Sequence, residues 1–146
     1  MGTLESRGVV EHGAPRDEPE DPKRPAPWLH FSMASGDLLD DWVTALAVDH
    51  GTVYVGTYNA GVTAISLGSN HATQLGGGYV NFGGLLVRDR TLFAATMAGL
   101  FARRLGGGEA FRSLPKAAPG RDVTAVVPAD RGLWVASRRG LSRFSP

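Results

Sequence analysis

From Val43 onward, apolar residues come in runs of five to seven that alternate with polar ones or are rich in β-branched side chains. Each run breaks at a glycine or a polar pair, the pattern of short strands joined by tight turns. The first stretch, "VTALAVDHGTVYVGTYNAGVTAISL", predicts strands over 43–48, 52–57 and 61–67, with a weaker one over 71–75. The same reading predicts strands over 83–87, 91–96, 99–105 and 109–114, and again over 123–127, 132–137 and 140–145.

These strands belong to a repeat. Val53, Leu92 and Leu133 correspond, followed by the aromatics Tyr54, Phe93 and Trp134. Small residues come next (Gly56, Ala95, Ala136), then hydroxyls (Thr57, Thr96, Ser137), then the glycines Gly61, Gly99 and Gly140. Val53 to Leu92 is 39 residues and Leu92 to Leu133 is 41. Four strands in a unit of about 40 residues are the signature of a β-propeller blade. The stretch "SGDLLDDWVTALAVDHGTVYVGTYNAGVTAI" resembles the two-component regulator propeller repeat of bacterial sensor proteins. The similarity runs over residues 35–145 and is weakest in the second unit, where Ala95 replaces the glycine and Gly83-Gly84 interrupt the first strand. It implies an all-β propeller and a bacterial sensory context, and it brings no catalytic motif with it.

The expected organisation is a leader over 1–27 and a propeller domain over 28–146, with blades over 41–75, 80–114 and 121–145. The third unit stops before a fourth strand, and "WLHFSM" at 28–33 supplies a spare one. Pairing a strand from one terminus with the last blade leaves no raw sheet edge. Closed propellers take about four to eight blades. The expectation is therefore three four-stranded blades per chain and a six-bladed ring made by homodimerisation, the first strand of each chain completing the last blade of its partner. A fragment of a longer propeller is the rival account.

Composition adds constraints. The chain has 20 glycines and 9 prolines, which favours strands and turns over helices. Residues 1–27 are loaded with Pro, Asp, Glu and Arg, too polar to offset the entropy of ordering, so a disordered acidic leader is expected there. The net charge of +1 points to neither nucleic acid nor membrane as a partner. It hides an asymmetry: residues 1–50 hold 10 acidic and 4 basic side chains, and residues 88–146 hold 11 basic and 4 acidic. The basic half suits an anionic partner, or the two halves are simply solvated surfaces of opposite bias. With 0 cysteines, disulfides and thiolate metal sites are excluded. No apolar run approaches the roughly 18 residues of a membrane span, and no signal peptide is visible, so the compartment is unknown.

Several motifs invite a chemical reading. Gly51, Gly56 and Gly61 mimic a phosphate loop, but a strand follows where such a loop needs a helix, so they are turn glycines. The glycine triplets at 76–78 and 106–108 fall in different turns. His12, His30, His50 and His71 show no metal spacing, so no metal or cofactor is expected. Asp40 and Asp41 suit capping or turn formation better than acid–base work, and Ser66, Ser69 and Ser142 lack a nucleophile context. No catalytic residue is assigned.

What remains is the loop rim. Its variable turn positions are Tyr58, Asn59, Met97, Arg138 and Arg139, and the matching inter-blade positions are Trp42, Asn81 and Asp122. Aromatics and arginines there are usual interface anchors. The leading expectation is a non-enzymatic module that binds a protein or anionic ligand on this rim. A propeller that binds or acts on carbohydrate, and a purely structural self-assembling ring, are the alternatives.

Overall fold

The computed structural model describes residues 28–146 and the backbone of residues 9–11. Blade one is the antiparallel sheet of β3 (Val43–Asp49), β4 (Thr52–Thr57), β5 (Gly61–Ser66) and β6 (Ala72–Gly76). Blade two is β7 (Val80–Arg88), β8 (Thr91–Thr96), β9 (Gly99–Arg104) and β10 (Arg112–Ser113). Blade three has the three strands β11 (Val123–Pro128), β12 (Leu133–Ser137) and β13 (Gly140–Phe144). A separate pair joins β1 (Val9–Glu11) to β2 (Leu29–Phe31). No helix among the described residues is long and apolar enough to cross a membrane.

The predicted strands form with boundaries moved by a few residues, and three departures stand out. The outer strand of blade two shrinks from the expected 109–114 to Arg112–Ser113. The conformationally free glycines at 106–108 precede it and Pro115, which has no N–H to donate, follows it. Within the expected leader, Val9–Glu11 is a strand, with Val10 opposite His30. Val9-Val10 is the leader's only adjacent β-branched pair, which suits a sheet edge; the other residues of 1–27 lie outside the described ones. Finally, β2 takes β1 of its own chain as a hydrogen-bonded neighbour, a pairing that the polar composition of residues 1–27 did not suggest.

One repeated element has a clear cause. The Thr57 hydroxyl donates to the Gly61 carbonyl at 3.1 Å and accepts from the Ala60 N–H at 3.1 Å. Thr96 does the same with Gly99 and Ala98, and Ser137 with Gly140 and Arg139. Each hydroxyl therefore satisfies backbone groups that a tight hairpin leaves without ladder partners. That is why the position keeps a hydroxyl while the residues beside it vary.

Alternation along the strands gives each blade two faces. The face of blade one carrying Ala45, Tyr54 and Val62 packs on Val80, Leu85, Leu92 and Ala94 of blade two. The opposite face of blade two, with Phe93, Ala95, Leu100 and Ala102, packs on Val123, Val126, Leu133 and Val135 of blade three. The first strands of consecutive blades lie against one another, β3 on β7 and β7 on β11. Gly56 leaves room for blade two, since a Cβ there would stand 2.8 Å from Val80 Cγ1. The remaining face of blade one, with Val55 and Ile65, is covered by Phe31 and Leu38.

Tyr54 sits in the first of these interfaces, and burial, reinforced by the Asp49 carboxylate and opposed by a hydrogen bond with Thr52, raises its phenol pKa above 10.0. The folded chain keeps a proton that the unfolded chain releases near pH 10. Stability from this group is fully present below that pH and falls as the pH climbs through the raised folded value. Tyr54→Phe is expected to lose this share of the alkaline decline, measured as urea midpoints over about pH 9 to 11.

Candidate functional site

The candidate site is the rim formed by the β4–β5, β8–β9 and β12–β13 turns and the segments entering each blade. Register defines the equivalent positions. Val43, Val80 and Val123 pair with the hydroxyl residues Thr57, Thr96 and Ser137. The residues just before them, Trp42, Tyr79 and Asp122, therefore occupy one rim position. Asn81, expected there from the sequence, is instead equivalent to Thr44 and Thr124.

Tyr79 was missed because blade two carries two extra residues. Its register slips between Val80 and Leu85, whereas the other blades slip between Val43 and Ala45 and between Val123 and Ala125. Gly83, with φ of +67°, lies in this bulge, and Gly84 is pressed against the carbonyls of Ala95 and Asn81. The signal available beforehand was the "YV" of "GGGYVNFGG", which matches "WV" at Trp42-Val43.

Tyr79 completes an aromatic shelf. The rings of Trp42 and Tyr58 stack at 4.5 Å between centroids with 25° between planes. Tyr58 and Tyr79 follow at 5.9 Å and 40°. Trp42 is 51% exposed and Tyr79 48%, so two large aromatic surfaces face solvent side by side. The backbone beneath is held firmly: the Tyr58 N–H donates to the Trp42 carbonyl at 3.0 Å. One carboxylate, Asp40, accepts from the Trp42 N–H at 3.0 Å and from the Asn59 N–H at 2.8 Å. Asp41 accepts from the Met33 N–H at 2.7 Å. The paired aspartates thus fix the loop conformation, in keeping with turn formation.

The blade-three end of the rim is polar. Arg138 Nε lies 2.6 Å from Asp122 Oδ2, and Asn81 Nδ2 donates to Asp122 Oδ1 at 3.0 Å. The Arg138 N–H donates to the Asp122 carbonyl at 3.1 Å, the counterpart of the Tyr58–Trp42 bond. Arg138 remains 79% exposed at its side chain, so its charge is displayed and not buried. Arg139 packs its aliphatic stem on Gly120. Together with Arg121, Pro115, Pro119 and Ala98 it borders a cleft of about 320 Å³. Met97 stands exposed on the intervening turn.

The structure therefore brings Trp42, Tyr58 and Asn59 together over Asp40, and Asn81, Asp122 and Arg138 into a second cluster. Met97 belongs to neither. Of the histidines, His50 pairs with Asp49 at 2.9 Å in a turn, His30 lies in β2, and His12 lies outside the described residues. No group of three or more metal-ligating side chains occurs among the described residues.

Antiparallel sheets stacked face on face, with first strands together and hairpin turns gathered on one rim, make this a propeller-like all-β protein. The comparisons agree at the level of fold. The chain is similar to the extracellular domain of a putative hybrid two-component system protein from B. thetaiotaomicron, with a TM-score of 0.67 and 15% identity. That match covers 82% of this chain and 18% of the other. It is also similar to the computationally designed Ika4 protein, with a TM-score of 0.59 and 18% identity over 72% of this chain and 66% of the design. The chain thus spans less than two thirds of either structure. No family model matches the sequence, and no curated protein matches it.

Proposed function

We propose that the chain is a non-enzymatic binding module of bacterial sensory type that takes a ligand on its loop rim. The observation that carries this reading is the Trp42–Tyr58–Tyr79 shelf: stacked, half-exposed, and held by Asp40 from below. Exposed aromatics on a fixed backbone offer large contact area at little conformational cost. The likeness to an extracellular two-component-system domain supports the sensory setting. The resemblance of the blades to the two-component regulator propeller repeat points the same way. The rim carboxylates Asp40, Asp41 and Asp122 are engaged by backbone N–H groups, Asn81 and Arg138, which suits positioning more than proton transfer.

A second reading, recognition of an anionic sugar, is favoured by the arginine-bordered cleft between blades two and three. Tryptophan fluorescence titrations with neutral and uronic-acid oligosaccharides test both. Binding without turnover is expected. Trp42→Ala and Tyr58→Ala should each weaken it at least tenfold, about 1.4 kcal/mol, while the melting temperature stays nearly unchanged. The Arg138→Ala/Arg139→Ala pair should weaken only the anionic members. Affinities unchanged in the aromatic variants would remove the shelf as the site and leave the rim a structural element of a self-assembling ring.

A further inference from the structure

We propose that blade three of one copy seats on blade one of a second copy, and that two copies close a six-bladed ring through two identical head-to-tail contacts. Phe93 and Leu100, on the blade-two face that blade three covers, are 3% and 1% exposed. Their equivalents in blade one, Tyr54 and Val62, are 7% and 0% exposed against blade two. The same positions in blade three are Trp134 and Leu141, at 39% and 64%, with Val127 beside them at 50%. Among the described residues, blade three thus presents an uncovered copy of the face that is buried twice inside the chain.

In both internal instances the covering surface is the opposite face of the next blade, led by its first strand. Leu85 and Val126 perform this role for blades two and three and are 8% and 5% exposed. Their equivalent in blade one is Leu46, at 54%, next to Val48 at 66%. Phe31 and Leu38 cover the part of this face built from Val55 and Ile65, with Val43 and Val53 packed at its edge, and leave Leu46 and Val48 outside. Among the described residues nothing covers Leu46 and Val48 of the first strand of blade one, and they match what blade three lacks.

A hydrogen-bond ladder runs in the same direction. The Thr44 hydroxyl of blade one donates to the Val80 carbonyl of blade two at 2.7 Å. Asn81, its equivalent in blade two, donates to the Val123 carbonyl of blade three at 2.6 Å. The next member is the exposed Thr124, and the next acceptor in register is the Val43 carbonyl of a second copy. Side-chain chemistry and apolar complementarity thus select the same occupant. Three blades lie among the described residues, and two copies make six, within the roughly four to eight of closed propellers. The contact is heterologous, and it closes instead of propagating because two copies complete the circle.

Sedimentation equilibrium of the full chain should give twice the 15.4 kDa chain mass, with dissociation on dilution. Trp134→Asp and Leu46→Asp change side chains that are exposed in the single chain, so each variant should keep the circular dichroism spectrum and sediment as a monomer. Mixing the two variants should restore a dimer, because one intact contact remains between them. A monomeric wild-type chain at all concentrations overturns the proposal. So does a Leu46→Asp variant that stays dimeric, since that result means blade three pairs with something other than blade one.

Discussion

Leu100→Ala is expected to cost about 2–5 kcal/mol of stability, while Leu141→Ala in the dissociated chain costs no more than about 0.5 kcal/mol. Both leucines follow the turn glycine of their hairpin and face the same way, opposite Ala95 and Ala136. They differ only in what lies beyond them. Leu100 is 1% exposed among Ala117, Val123, Leu133 and Val135, so truncation leaves a cavity that two packed blades cannot collapse. Leu141 is 64% exposed and belongs to no buried cluster of the described residues. Urea denaturation at a concentration below association measures both. Equal costs would mean that blade faces contribute little and that hairpin geometry holds the fold.

Gly61→Ala is expected to destabilise by about 2–4 kcal/mol, against about 1 kcal/mol for Gly51→Ala. The two glycines share a left-handed backbone, with φ of +75° and +74°. An added Cβ meets nothing within 4 Å at Gly51, whereas at Gly61 it runs into the Gly76 carbonyl. Gly51→Ala therefore reports conformational strain alone, and the difference reports the displacement of β6 from β5. Because β6 also places Leu75 on the interface with blade two, the loss reaches beyond the hairpin. Thermal melts of the two variants should separate by several degrees in the stated order.

The candidate site was partly legible in the sequence. Trp42, Tyr58 and Arg138 could be placed on the rim because the spacing from hydroxyl to glycine repeats, and the turn between them varies. Tyr79 could not, since the two extra residues of blade two shift every count made backward from Leu85. The role of Asp40 was equally hidden. Its carboxylate reaches Asn59, 19 residues further along the sequence, a separation that only the return of the β4–β5 hairpin brings within hydrogen-bond reach.

The inner three strands of each blade, their hairpin turns and the unit of repetition are legible along the chain, because alternation, hydroxyl and glycine positions act within one blade and through neighbouring residues. Only the tertiary structure decided which of three equivalent faces is buried and which is bare. Tyr54, Phe93 and Trp134 read alike along the chain. Their surroundings differ because burial depends on a covering blade: Tyr54 and Phe93 have one, whereas Trp134 is 39% exposed.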